Sequence, residues 1–164
     1  MKRLVLIFCF TLLGIAASQA QSGLRVGANI GLPIGDIEEV SNFQLGADLA
    51  YMVGVADMLY VGPKVGYTRF FIEDIDSEFG EFEIDDPAFL PITASGRVSL
   101  VRGFFFGADL GYAVGLNDGN DGGFYYKPQA GFNFGKIGLI LSYTGISVDG
   151  GSFAAINAGI EFGL

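Results

Sequence analysis

The chain has 164 residues, enough for one domain and too few for two of ordinary size. Hydrophobic residues make up 51% and charged residues only 16%, against roughly 25% charged in an average soluble domain, while glycine reaches 26 residues and aromatics 14%. This excludes a disordered tail and argues against a surface that meets water everywhere. With 18 Asp plus Glu against 9 Lys plus Arg there is no positive field for a phosphate backbone, so nucleic acid is not an expected partner. Histidine is absent, which removes the usual proton shuttle and the commonest metal ligand.

The first element is a leader. Lys2 and Arg3 give a positive start, Leu4 to Ile15 is apolar, and Ser18-Gln19-Ala20 offers small residues where a signal peptidase reads, so cleavage is expected after Ala20. The one cysteine, Cys9, leaves with the leader, and no disulfide is expected. Residues 21–164 then form a single domain with 7 basic against 18 acidic residues, a formal charge of −11.

From residue 21 onward no useful segment repeats its apolar residues at helical spacing, and no apolar run is long enough for a helical span. Alternation at every second residue recurs instead, the period of a strand with two unlike faces. Leu24, Val26, Ala28, Ile30 and Leu32 stand opposite Arg25, Gly27, Asn29 and Gly31, and Leu45, Ala47, Leu49, Tyr51 and Val53 opposite Gln44, Gly46, Asp48 and Ala50. Weaker alternation runs through 59–71, 88–101, 104–116 and 137–148. Cleaner examples are 124–134, with Tyr125, Lys127 and Gln129 on the polar side, and 152–164, with Asn157 and Glu161 there. That predicts eight strands. Short links are expected at Ala56 to Met58, Val101 to Gly103 and Gly135-Lys136; mostly longer, acidic ones at Gly35 to Asn42, Ile72 to Asp86, Asn117 to Gly123 and Asp149 to Gly151. Strands of about ten residues with short turns at one end and longer loops at the other suit a tilted crossing of a hydrocarbon layer. An even count puts both termini at the short-turn end.

Alternation leaves open which face points outward, since a soluble ligand-binding barrel has the same period with the faces exchanged. Charge placement favours a membrane barrel. The polar stripes carry only Arg25, Asp48, Lys64, Arg97, Asp109, Lys127 and Glu161, four positive and three negative, among Gly, Ser, Thr, Asn and Gln. A sparse, near-balanced set suits a narrow lumen in which each charge needs a partner. Arg25 and Glu161 become neighbours if the barrel closes, and Asp48 and Lys64 meet across a hairpin. The opposite stripes are almost free of charge, as lipid requires. Arg69 is the exception, placed near a loop where it can snorkel to headgroup phosphates. Tyr51, Tyr112, Phe132, Phe134, Tyr143 and Phe162 fit interfacial girdles.

The opening strand GLRVGANIGLP, the hairpin NFQLGADLAYMVGVADMLYVGPKVGY, the segment FLPITASGRVSLVRGFFFGADLGYAVG and the closing strand INAGIEFGL together resemble the small eight-stranded outer-membrane barrels of the OmpA/OmpX type, the outer membrane protein β-barrel domain family of Gram-negative bacteria. The resemblance covers residues 21–164. It implies an all-β, eight-stranded antiparallel up-and-down transmembrane barrel in the outer membrane with both termini periplasmic. It also implies contact with lipid and lipopolysaccharide, insertion by the barrel-assembly machinery, and a monomer without cofactor. The final strand is similar to that machinery's recognition signal, with Leu164 in place of the usual terminal aromatic.

Two features complicate the pattern. Pro63, Pro91 and Pro128 fall inside predicted strands of a barrel with no free edge, so bulges or frayed ladders are expected there. The near-copies GADLAYMVG (46–54) and GADLGYAVG (107–115) run in opposite directions by strand count, which points to shared packing demands on the lumen rather than hairpin duplication.

The densest chemical feature is EDIDSEFGEFEIDD, with Glu73, Asp74, Asp76, Glu78, Glu81, Glu83, Asp85 and Asp86 in fourteen residues. Oxygen-rich clusters suit Ca²⁺ or Mg²⁺, and Asp74, Asp76, Glu78 and Asp85 distantly follow an EF-hand spacing, but Gly80 comes one place late and no helices flank it. A divalent bridge to lipopolysaccharide, a solvated loop, or a projecting hairpin that receives an extracellular protein are the other readings. No Ser, Asp and base arrangement is evident, so no catalysis is expected. The leading function is structural, membrane-stabilising or adhesive. The alternatives are a narrow porin-like channel and a soluble ligand-binding barrel.

Overall fold

A computed structural model describes residues 23–37, 41–72, 76–77, 80–81, 86–100 and 103–164. The expected leader lies outside them. The strands are β1 (Gly23–Ile34), β2 (Ser41–Gly54), β3 (Leu59–Ile72), β4 (Asp76–Ser77), β5 (Gly80–Glu81), β6 (Ala88–Ser99), β7 (Phe104–Gly115), β8 (Gly123–Phe134), β9 (Ile137–Val148) and β10 (Gly151–Gly163), with a 3-10 turn at Gly35–Ile37. Eight of them close into one antiparallel barrel in the order β1-β10-β9-β8-β7-β6-β3-β2. Closure is made by β1 on β10, in register from Arg25 opposite Gly163 to Ile34 opposite Ala154. Closure matters because hydrocarbon offers no partner to an unpaired backbone N–H or C=O. The barrel strands run 12 to 14 residues, longer than the roughly 9–11 that a tilted crossing needs.

The connections segregate by length. Residues 55–58, 100–103 and 135–136 join strands at one end, the turn end, where Gly23 and Leu164 also lie; 35–40, 73–87, 116–122 and 149–150 join them at the other, the loop end. The Asp149-Gly150 link is a two-residue turn, and Gly150 takes a φ of 91° that a residue with a Cβ rarely adopts. Within the longest connection, β4 and β5 pair Asp76 with Glu81 and Ser77 with Gly80.

The prolines interrupt ladders without shifting register. Pro63 pairs with Ala94 on one side, while on the other the β2–β3 ladder skips from Ala50–Lys64 to Val53–Val61. Pro91 pairs with Ala113, and the β3–β6 ladder is broken between Val65–Ile92 and Thr68–Phe89. Pro128 pairs with Ala108, and the β8–β9 ladder is broken between Tyr126–Gly145 and Gln129–Ser142. Each proline lacks one N–H and opens one neighbouring ladder. The register shift in β2–β3 lies elsewhere, between Ser41 and Phe43.

The apolar stripe faces out. Leu32, Ile92, Phe106, Leu139, Leu141 and Ile156 are all more than half exposed or close to it, whereas Lys64, Arg97, Asp109, Lys127 and Glu161 are buried. A water-soluble barrel would have the opposite arrangement, because burying charge while exposing a continuous apolar belt is unfavourable in water. Of the eight charged residues in the barrel strands, only Arg69 is on the outward stripe. Aromatic side chains mark the turn-end rim, where Phe132 lies against Phe104 and Phe134 at centroid distances of 4.6 and 4.4 Å, and the loop side, where Tyr126 stacks with Phe124 and Tyr143.

One expectation about the interior requires correction. The buried charges occupy its middle and turn-end portions, where Met52 and Phe105 are buried beside them, and the loop-end portion is apolar. At the loop end Phe70, Phe89, Tyr125, Ile146, Ala113 and Ala155 point inward and pack together, with Ile37, Val148 and Phe153 against them. Phe153 sits 5.4 Å from Phe70 and 5.1 Å from Phe89, ring centre to ring centre. This apolar plug closes the lumen where inward side chains no longer need to serve buried charges.

Candidate functional site

Two regions carry chemistry: the charged lumen and the loop end above the plug. In the lumen, glycine on the inward stripe makes room for long charged neighbours. A Cβ on Gly107 would come within 2.5 Å of Gly96 O and 2.8 Å of Arg97 Cγ. Arg97 thus lies over Gly107 and reaches across the barrel from β6 to β10, four strands away, where Nη1 and Nη2 donate to Glu161 Oε1 and Oε2 at 2.6 and 2.7 Å. Glu161 Oε1 also accepts from Arg25 Nη1 on the adjacent strand at 2.9 Å. The Arg97 guanidinium stands 4.9 Å from the Phe105 ring centre, which adds a cation–π contact.

A second cluster surrounds Lys64. Its Nζ lies 3.0 Å from Asp109 Oδ2 and 3.1 Å from Asp48 Oδ1, so the aspartates of the two near-copied segments close on one ammonium. Asp109 is completed by Ser95 Oγ, donating at 2.6 Å, and Gln129 Nε2, donating at 2.9 Å. Lys127, on the far side of the barrel, approaches Asp48 Oδ2 at 3.9 Å. All seven charged lumen residues therefore fall into two linked sets. Ser95 and Gln129 belong to them although their sequence positions show only generic polarity; their signal is their shared inward parity with Asp109 and Lys127.

Such a network braces the barrel interior. The two cavities beside Asp48, Lys64 and Lys127 are ≈ 10 Å³ each, room for about one water apiece. An eight-stranded barrel is filled by its own side chains, and here the plug seals the upper end.

At the loop end, Arg69 does not present a free guanidinium. Its Nε and Nη2 donate to Asp86 Oδ2 at 3.1 and 2.9 Å and it lies 5.2 Å from the Phe71 ring centre, on the outward stripe near the loop end where it was expected. Asp86 Oδ1 accepts from Ile72 N at 3.0 Å, which pins the end of the long connection. Asn117 fastens the next loop to the same point: its Oδ1 accepts from Ala88 N at 2.7 Å and its Nδ2 donates to Asp86 O at 3.1 Å. Between this loop, the Asp149-Gly150 turn and Phe153 opens a cavity of ≈ 470 Å³. Of the acidic-segment residues, Glu73, Asp74, Glu78, Glu83 and Asp85 lie outside the described residues, Asp76 and Glu81 are described by backbone pairing alone, and Asp86 is placed as above. Among the described residues no group of three or more acids is disposed to hold a metal ion.

Three solved structures share this architecture. A de novo designed transmembrane β-barrel matches with a TM-score of 0.56 and 13% identity, covering 89% of this chain and 98% of its own. The outer membrane protein Ail of Yersinia pestis in a phospholipid bilayer nanodisc matches at 0.57 and 16%, covering 87% of this chain and 99% of its own. The crystal structure of the same protein, the attachment invasion locus protein, matches at 0.61 and 16%, covering 87% and 97%. The fold is an eight-stranded transmembrane barrel. No protein-family model matches the chain, and no curated protein sequence does either. A transmembrane barrel accounts for the three features that a soluble one leaves unexplained: the outward apolar belt, the aromatic rims and the inward charges.

Proposed function

We propose that this chain is an outer-membrane barrel of a Gram-negative bacterium, exported through its leader, with both termini in the periplasm, and that it serves a non-catalytic structural and adhesive role through its loops. The observation that carries this reading is the partition of charge: the barrel strands turn seven charges into a sealed lumen and an apolar belt outward, leaving the loop end as the place where polar chemistry is exposed. By sequence, the four loop-end connections hold fourteen Asp and Glu and no Lys or Arg, whereas the turn-end connections hold Asp57, Arg102 and Lys136. A filled interior assigns function to that anionic end. The likeness to a protein named for attachment and invasion agrees with an adhesive role. Lipid and lipopolysaccharide would contact the belt and rims, and the assembly machinery would read the final strand.

Expression in a Gram-negative host tests the reading. Fractionation should place the protein in the outer membrane, its unboiled form should migrate as a compact barrel, and cells bearing it should adhere to a protein-coated surface more than cells without it. Replacing the acids of residues 73–85 by serine, with Asp86 kept as the anchor of Arg69 and Ile72, should weaken adhesion while leaving gel mobility unchanged. Recovery in the soluble fraction, or adhesion equal to that of bare cells, would refute it. The two cavities beside Asp48, Lys64 and Lys127 hold about one water each, which supports a structural role for the lumen over the channel alternative.

A further inference from the structure

The ≈ 470 Å³ cavity at the loop end has the volume of a small-ligand pocket. Pro87, Val148 and Phe153 give it an apolar side; Asp118, Asp121 and Asp149 give it an acidic one. Phe153 is held by the plug through Phe70 and Phe89, and part of its surface remains exposed to the cavity. The loop that supplies two of the acids is fixed through Asn117 to Ala88 and Asp86, through Leu116 N to Ala88 O at 2.9 Å, and by Asn120 Oδ1 accepting from Gly122 N at 3.1 Å. No ion pair among the described residues engages Asp118, Asp121 or Asp149. The pocket is thus preformed, with an aromatic wall and uncommitted carboxylates.

We propose that this pocket receives an arginine side chain from an exposed basic segment of a partner polypeptide. The argument is complementarity. A guanidinium is planar, so it stacks on an aromatic surface and forks toward a carboxylate, and its hydrocarbon stem packs on Val148 and Pro87. No loop-end connection contains a Lys or Arg to fill the pocket from within the chain. The anionic loop end draws a cationic segment toward it and repels an acidic one. A polyamine would satisfy the acids but offers no flat face to Phe153. The inference rests on the adhesive reading and names the chemistry of its partner.

The test uses the full barrel in lipid nanodiscs and a fluorescent Gly/Ser peptide carrying two arginines, with matched peptides in which these are lysine or the neutral isostere citrulline. Binding is followed by anisotropy. The arginine peptide should bind, lysine should bind more weakly, and citrulline should bind at least about tenfold more weakly. The triple variant Asp118→Asn, Asp121→Asn, Asp149→Asn should lose about tenfold for the arginine peptide, and Phe153→Leu should narrow the preference for arginine over lysine. Equal binding of arginine and citrulline, or wild-type affinity in the triple variant, would overturn the proposal. So would loss of binding only when the acids of 73–85 are replaced. Adhesion of whole cells is scored separately: if wild-type cells fail to adhere, the adhesive reading falls while the peptide titration still decides the pocket; if they adhere and the triple variant adheres equally, the pocket alone falls.

Discussion

Arg97 and Glu161 stand 64 positions apart and meet across the lumen as a two-pronged ion pair, with Nη1 to Oε1 at 2.6 Å and Nη2 to Oε2 at 2.7 Å. Both are almost completely buried, and Glu161 also holds Arg25. Removing one member of such a set leaves charge in a low-dielectric interior without a partner, at about 3–5 kcal/mol. Glu161→Ala should therefore destabilise the barrel by that amount in urea unfolding from detergent micelles. The triple variant Arg25→Met, Arg97→Met, Glu161→Leu should recover more than half of the loss, since replacing every member of a buried ionic set by apolar groups is often close to neutral.

Asp48 and Asp109 contact the same ammonium but differ in support. Asp109 accepts from Ser95 and Gln129 as well as Lys64, whereas Asp48 has Lys64 at 3.1 Å and Lys127 at 3.9 Å. Asp109→Asn should lower stability more than Asp48→Asn, by about 1–2 kcal/mol, because hydrogen bonds to a charged group are each worth about 1.5–3 kcal/mol and one buried donor is left mismatched. Paired unfolding curves of the two variants measure the difference. Equal midpoints would mean that Ser95 and Gln129 contribute nothing through Asp109.

Gly107, opposite Arg97, is on the inward stripe and Gly96, opposite Ala108, on the outward one, and the two tolerate a side chain differently. A Cβ at 107 meets backbone at Gly96 O and the stem of Arg97, while a Cβ at 96 meets nothing within 4 Å. Gly107→Ala should lower the temperature at which the compact gel form is lost and reduce the yield of inserted protein. Gly96→Ala should leave both within error of wild type.

The outward belt gives a depth-dependent prediction. Leu141 is 66% exposed near the middle of β9, and Leu164 is 71% exposed at the turn end. In a bilayer Leu141→Arg should cost about 2–4 kcal/mol and Leu164→Arg about 0–1 kcal/mol, because only the first places a cation at the hydrocarbon midplane. Refolding equilibria into lipid vesicles separate the two. Were the belt facing water, both changes would be harmless or favourable.

The strands were legible because side-chain direction alternates with period two, so each stretch of unlike faces announces itself without reference to its neighbours. The β1, β2, β8 and β10 segments carry clean alternation, and their inward residues Arg25, Asp48, Lys127 and Glu161 follow from parity alone. The signal failed where both faces leave water. Phe70 and Phe71, or Phe89 and Leu90, show no alternation, because one member enters the plug and the other meets lipid or a rim. That loss of contrast falls at the loop ends of β3 and β6, where the plug forms. The pairing of Arg69 with Asp86 was not legible, because Asp86, seventeen residues on, returns beside it only through the long connection.

The amino-acid order alone determined an all-β chain with eight barrel strands, their direction, and the stripe each turns inward, since these depend on local periodicity and loop length. Contacts between adjacent strands, such as Arg25 with Glu161, follow once the ends of the sheet are joined. Only the tertiary structure decided that Arg97 spans the lumen to Glu161, that Lys64 is held by both Asp48 and Asp109, and that a pocket forms over Phe153. Those choices depend on how far closure staggers one strand against another and on which side chains are long enough to cross the enclosed space, neither of which leaves a mark on local sequence.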